Sequence, residues 1–265
     1  MNEVERRFPN GARVLASVSI SKAYGHVQAL NDVSVDVHRG EVVAIFGDNG
    51  AGKSTLAKCL CGVTEPDSGR IESESGPVVL HSIRDAEALG ITAVHQDLAL
   101  APDLTVLENM FLGHELVRDG WRGLFGVVAR RAMAERSAEA LAGLAIKLPS
   151  VRTPVRELSG GQKQAVAVAR AAMWTRSGIL MDEPTAALGT LQSDIVCELI
   201  RTTAKKGLGI LVISHDIPRV MEVADTVVVL RHGRVALCEP AHNVARRDII
   251  DAMVGYSEAV SGRGP

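Results

Sequence analysis

Aromatic side chains are scarce, at 3% of 265 residues, leaving few rings from which to build a platform for stacked bases. Charge of one sign is also missing: 29 basic against 31 acidic residues give a formal net charge of -2. A broadly basic nucleic-acid surface is therefore not expected. Only four cysteines occur, at 59, 61, 197 and 238. Cys59 and Cys61 lie two apart on an expected helix and point in different directions, so neither a zinc site nor a disulfide framework emerges, and buried thiols in a reducing compartment are expected. No apolar run approaches the roughly 18 residues of a membrane span. Near the N-terminus Arg13, Ser17 and Ser19 interrupt the apolar core a signal peptide would need. The alternation of Val14, Ala16, Val18 and Ile20 predicts a first strand instead. No internal repeat is visible, so one unit is expected rather than a tandem pair.

What is present is a 46% hydrophobic chain with the makings of a large core. Glu41 to Phe46 reads as a buried strand. It feeds Gly47-Asp48-Asn49-Gly50-Ala51-Gly52-Lys53-Ser54-Thr55, which meets the pattern G-x-x-x-x-G-K-[ST] at every required position. Leu56, Cys59 and Leu60 then follow the spacing of a helix face. Glycines let backbone N–H groups approach phosphate oxygens closely, and the helix opening near Lys53 turns its positive end toward them. In this motif Lys53 reaches the β- and γ-phosphates and the Ser54 hydroxyl ligates Mg²⁺. A nucleotide with Mg²⁺ is the expected ligand.

The rest of the chain alternates. An antiparallel β element with a strand over 33–37 precedes the phosphate loop. A strand from Gly69 to Glu72, a helix from Arg84 to Leu89 and a strand from Ile91 to His95 follow it. Residues 104–150 carry few strand signals and a helical stretch from Ala129 to Leu144. The α/β alternation resumes with strands at 178–181, 210–213 and 226–230, helices at 190–205 and 217–223, and a last helix over 241–254. The reading is a single α/β domain over 1–265. A P-loop nucleotide-binding core, a mostly parallel sheet with flanking helices, spans 13–96 and 175–254. It carries the antiparallel β element and a helical insertion subdomain over about 97–174.

Two further stretches carry chemistry. Asp182 and Glu183 close a strand, where α/β sheets place ligands; Asp182 suits Mg²⁺ and Glu183 suits polarising an attacking water. Leu158-Ser159-Gly160-Gly161-Gln162 opens a helix with Ser159 as its N-cap, a second helix start able to receive an anion.

Taken in order, GDNGAGKST, Gln96, LSGGQ, Met181-Asp182-Glu183-Pro184 and Ser214-His215-Asp216 resemble the ATP-binding cassette ATPases over about residues 13–240. The resemblance implies that Tyr24 stacks on adenine and that Gln96 approaches Mg²⁺ and the attacking water. It implies that His215 contacts the γ-phosphate, and that Ser159, Gly160 and Gly161 touch ATP held by a second cassette, in a homodimer. It further implies transmembrane permease subunits as partners, no nucleic acid, and a peripheral position on the cytoplasmic face of a bacterial inner membrane. One departure stands out: Gly189 follows Leu188 where many cassettes have an aspartate. The stretches His95 to Leu98, Leu104 to Gly113 and Gly161 to Gln164 resemble the ATPases of bacterial monosaccharide importers of the ribose, xylose and fructose type. These imply sugar import with a periplasmic sugar-binding protein as an indirect partner. The alternatives are another cargo, such as an amino acid or a lipid, and a soluble non-transport cassette ATPase.

Overall fold

The computed structural model describes residues 12–94, 97–118, 126–186 and 188–255. Its central sheet has six strands in the order β10-β9-β3-β8-β7-β6. They are β3 (Val42–Phe46), β6 (Ile91–Val94), β7 (Gly178–Asp182), β8 (Gly209–Ile213), β9 (Thr226–Arg231) and β10 (Arg234–Pro240). All neighbours run parallel except β10, which is antiparallel to β9. Every residue of β3 and β8 is buried, as expected for parallel strands covered on both faces. The two-residue side-chain period divides them between two cores. Val42, Ala44, Phe46, Ile210 and Val212 face one; Val43, Ile45, Leu211 and Ile213 face the other.

The second core is closed by a four-stranded antiparallel sheet in the order β2-β1-β4-β5, together with helix α1 (Lys53–Leu60). This sheet comprises β1 (Arg13–Tyr24), β2 (Val27–His38), β4 (Ser68–Ser73) and β5 (Gly76–Val78). β2 keeps the expected alternation, with Val33, Val35 and Val37 buried. β1 does not. Val14 through Ser17 are all buried, and the register shifts between Ser17 and Ile20, where Ser19 takes a φ of 51°. β1 lies between two strands, and this irregularity turns Ile20 back into the core. After β5 comes α2 (Ile83–Ala88).

The first core is closed by the helices. Between β6 and β7 lie α3 (Val106–Phe111), α4 (Arg130–Gly143) and α5 (Gly160–Trp174), the expected helical stretch. α3 starts at a reciprocal cap: the Thr105 hydroxyl accepts from Glu108 N–H, and the Glu108 carboxylate accepts from Thr105 N–H. The buried Asn109 amide ties this helix to the loop before it through the backbone of Ala101, Leu104 and Thr105. α6 (Thr190–Lys205), α7 (Ile217–Met221) and α8 (Arg246–Val254) complete that face.

The local structure departs from the sequence reading in several places. The single helix over 241–254 is a 3-10 turn at Ala241–Asn243 followed by α8. Ala245 is extended, and the Asp248 carboxylate accepts its N–H at 2.8 Å, so a new helix begins there. Strands β5 and β10 were not anticipated; each is a sheet edge, and edge strands need little apolar patterning. Of the four cysteines expected to be buried, Cys59, Cys61 and Cys197 are and Cys238, on the edge strand β10, is half-buried; burial pushes the first three thiols up to about 11, about 12 and about 11. Among the described residues no helix is long and apolar enough to cross a membrane.

Candidate functional site

β3 delivers the chain into the glycine loop and α1 carries it away. Gly52 caps α1 with a φ of 105°. A Cβ there would lie 2.5 Å from the Ala29 carbonyl oxygen, so β2 and the loop meet where only glycine fits. Lys53 folds back over the loop, its Nζ donating to the carbonyls of Gly47 at 2.8 Å and Asp48 at 3.0 Å. The Ala51 N–H donates to the Asp48 carbonyl at 3.1 Å, and the Asp48 carboxylate accepts the Asn49 N–H at 2.7 Å. The ammonium thus rests in the mouth of the turn, held by two neutral carbonyls that a stronger anionic acceptor can replace.

The facing wall comes from β7. Ser54, one residue into α1, and Asp182, the last of β7, line a common cavity of about 100 Å³. A hydroxyl and a carboxylate at one cavity suit a hard cation such as Mg²⁺, which keeps waters and takes phosphate oxygens for its remaining positions. Gln96, the third expected ligand, lies outside the described residues.

The parallel register of β7 and β8, with Asp182 opposite Ile213, sets the next pair. Glu183 takes a left-handed φ of 53° and donates its N–H to the Ile213 carbonyl at 2.8 Å. This aims its carboxylate across the ends of both strands. The His215 N–H donates to Glu183 Oε2 at 3.3 Å, and its Nδ1 lies 2.7 Å from the same oxygen. An ionised carboxylate only accepts, so Nδ1 carries a proton and, in the neutral ring, Nε2 is an acceptor. The Glu183 side chain is 19% exposed and that of His215 71% exposed. A carboxylate and an exposed imidazole therefore meet at the end of the sheet, next to Asp182.

Ser159 is the N-cap of α5 as expected. Its hydroxyl accepts from Gln162 N–H, and its own N–H donates to Gln162 Oε1. A Cβ on Gly161 would approach Gln192 Cβ to 3.0 Å, so α5 and α6 start in close contact. Ser159 and Gly161 line a cavity of about 510 Å³ with Gln162, Gln192 and Ile195. Asp48, Asn49, Gly50 and Ala51 line a different cavity of about 490 Å³ with His232 and Met253. The two have no lining residue in common. Gly189 is extended at φ -71° and donates its N–H to Gln192 Oε1 at 3.0 Å, so a glutamine serves the start of α6.

Tyr24 ends β1 and is 47% exposed. It pairs with Val27 across a turn that contains Gly25 at φ 58°. The sequence reading missed Lys22 and Asp67, which hold this strand end, and Gln192. Asp67 was legible only as part of a Pro-Asp-Ser-Gly turn, because nothing in that turn names its partner 44 residues away.

The family description "ABC transporter" matches residues 30–186. The xylose/arabinose import ATP-binding protein XylG of Sulfolobus acidocaldarius is 42% identical over 238 residues, 90% of this chain and 92% of that protein. The fructose import ATP-binding protein FrcA of Rhizobium meliloti is 40% identical over 92% of this chain and 95% of its own length. A dimeric cassette solved in a post-hydrolysis state with ADP and phosphate superimposes with a TM-score of 0.68 at 25% identity, covering 86% of this chain and 99% of that one. Together with the glycine loop, the paired strand ends and the capped glycine-rich helix, these matches establish that the chain is an ATP-binding cassette ATPase of the ABC transporter family.

Proposed function

We propose that this cassette drives import of a monosaccharide, as one of two identical ATPase subunits beneath a membrane permease on the cytoplasmic face of a cell membrane. The cargo reading rests on one observation: relatives of about 40% identity along nine-tenths of the chain are sugar import proteins.

The chemistry follows from the residues. The loop from Gly47 to Thr55 wraps the triphosphate of ATP. Lys53 leaves the Gly47 and Asp48 carbonyls for the β- and γ-phosphates, a charged pairing stronger than the two it gives up. Ser54 and Asp182, with Gln96, hold Mg²⁺, which neutralises phosphate charge when bound. Glu183 takes a proton from the water that attacks the γ-phosphorus; the bond to the β-phosphate oxygen breaks and leaves ADP. His215 steadies Glu183 through Nδ1 and presents Nε2 to the phosphate side. Ser159, Gly160 and Gly161 complete the site on the partner copy's ATP. The separation of their cavity from the phosphate-loop cavity supports this reading, because one chain then holds two half-sites. Tyr24 stacks on adenine. The cassette core spans 13–96 and 175–254, and about 97–174 form the helical part that meets the permease.

The test is uptake of labelled xylose, ribose, fructose and leucine by a strain lacking this gene. The proposal requires one sugar to fail, with rescue by the wild-type gene and none by Lys53→Ala. Loss of leucine uptake alone assigns another cargo. Normal uptake of all four, with the protein purifying without any permease, assigns a soluble ATPase.

A further inference from the structure

Among the described residues, the far end of β1 lacks a strand on one side. β1 pairs with β4 only as far as Ser21 opposite Ser68, whereas its pairing with β2 continues to Tyr24. Lys22, Ala23 and Tyr24 therefore present one open edge, and an exposed strand end with half its ladder frays easily. Yet this end carries the one aromatic ring expected to meet the nucleotide base.

Asp67 occupies the open edge. Its N–H donates to the Ser21 carbonyl at 2.8 Å. Its Oδ2 accepts the Ala23 N–H at 2.7 Å, the bond a neighbouring strand would have made. Its Oδ1 accepts from Lys22 Nζ at 2.7 Å. The Lys22 ammonium in turn lies 5.8 Å from the centroid of the Tyr24 ring, within cation–π range. The hydrogen bond to Asp67 holds the lysine above its ordinary range, and Lys22 with the Ala23 N–H holds Asp67 below its own. The turn itself is pressed against β1: Gly69 has a φ of +85°, and a Cβ there would fall 2.3 Å from the Ser19 carbonyl oxygen.

We propose that Asp67 and Lys22 are positioning residues that clamp Tyr24 as the platform for the nucleobase of ATP. The clamp rests on the reading of Tyr24 as the base-stacking residue. Asp67 fixes the backbone on either side of Lys22, and Lys22 covers one side of the ring, leaving the other for a purine. Neither residue touches the nucleotide; both act through the aromatic ring.

The experiment compares binding of MgATP and of inorganic magnesium tripolyphosphate to the full chain and to Tyr24→Ala, Lys22→Met, Asp67→Asn and Asp67→Ala. Tripolyphosphate carries the phosphate chain of ATP and no base. Tyr24→Ala, Lys22→Met and Asp67→Ala should each weaken ATP by about three- to tenfold, the scale of one aromatic stacking contact. Tripolyphosphate affinity should not change. Asp67→Asn keeps an acceptor for the Ala23 N–H and should fall between wild type and Asp67→Ala. In hydrolysis the loss should appear in KM, with kcat within about twofold. Asp67→Ala added to Tyr24→Ala should weaken ATP no further, because the platform is already gone. Equal weakening of both ligands by Asp67→Ala would overturn the proposal, since that marks damage to the phosphate loop. ATP selectively weakened by Tyr24→Ala alone, with both clamp residues silent, overturns the clamp and leaves stacking intact. A silent Tyr24→Ala overturns the stacking reading and the clamp with it.

Discussion

Replacing Glu183 by glutamine separates two readings of the Glu183–His215 contact by magnitude. If the carboxylate only anchors the imidazole, its loss weakens one hydrogen bond to a ring that is 71% exposed. Such partly solvated pairs contribute under about 1 kcal/mol, or about fivefold in rate if the whole effect fell on the barrier. If the carboxylate is the base, hydrolysis falls by roughly 10²–10⁴-fold, or about 2.7–5.5 kcal/mol in the barrier. The two ranges do not overlap. Glutamine keeps the length and one acceptor oxygen for the His215 N–H, and it leaves Lys53, Ser54 and Asp182 in place. ATP should therefore still bind. With one negative charge fewer beside two triphosphates, the closed dimer should also form more readily. The assay is phosphate release under single-turnover conditions, alongside gel filtration with ATP and Mg²⁺. A rate within about fivefold of wild type would reduce Glu183 to a structural partner. A slow mutant that remains monomeric with ATP, both alone and with its permease, would refute the shared site built from Ser159 and Gly161.

Two further predictions concern the scaffold. The Ser137 hydroxyl is buried inside α4 with no hydrogen-bond partner among the described residues, so Ser137→Ala should raise unfolding stability by about 1 kcal/mol in urea titrations; destabilisation of that size would mean that the hydroxyl is satisfied. His38 is held above its ordinary 6.5 chiefly by its hydrogen bond to Glu41, 2.9 Å from Nδ1. Its charged form therefore adds stability that is fully present below 6.5 and is lost as pH rises through the raised value. His38→Gln should remove that part of the fall in Tm on the alkaline side; an unchanged pH profile would show that the pair contributes nothing.

The strand, glycine loop and helix around Lys53 could be read from sequence because apolar period and loop chemistry coincide there within about 20 residues. The start of α5 was equally local, with Ser159 and Gln162 three residues apart; Thr105 and Glu108 at the start of α3 have the same spacing and went unread. What could not be read is set by register between distant strands. Asp182 opposite Ile213 decides that Glu183 meets His215, and no local pattern fixes that pairing. The same holds for Asp67 and Ala23 and for Gly161 and Gln192. β10 escaped notice because its burial is mixed and it ends at Pro240, which is poor evidence for a strand except at an edge.

The left-handed backbone at Glu183 has an evolutionary consequence. A residue with a Cβ costs about 1–2 kcal/mol in that conformation, and glycine avoids the cost. Under the proposed role of Glu183 as the base, stability and turnover favour different amino acids at this position. Purifying selection on hydrolysis must keep acting there, or drift toward glycine or asparagine would leave a sturdier protein that no longer turns over. A saturation library scored for cellular abundance should therefore enrich glycine at 183, while the same library scored for growth on the transported substrate should retain glutamate.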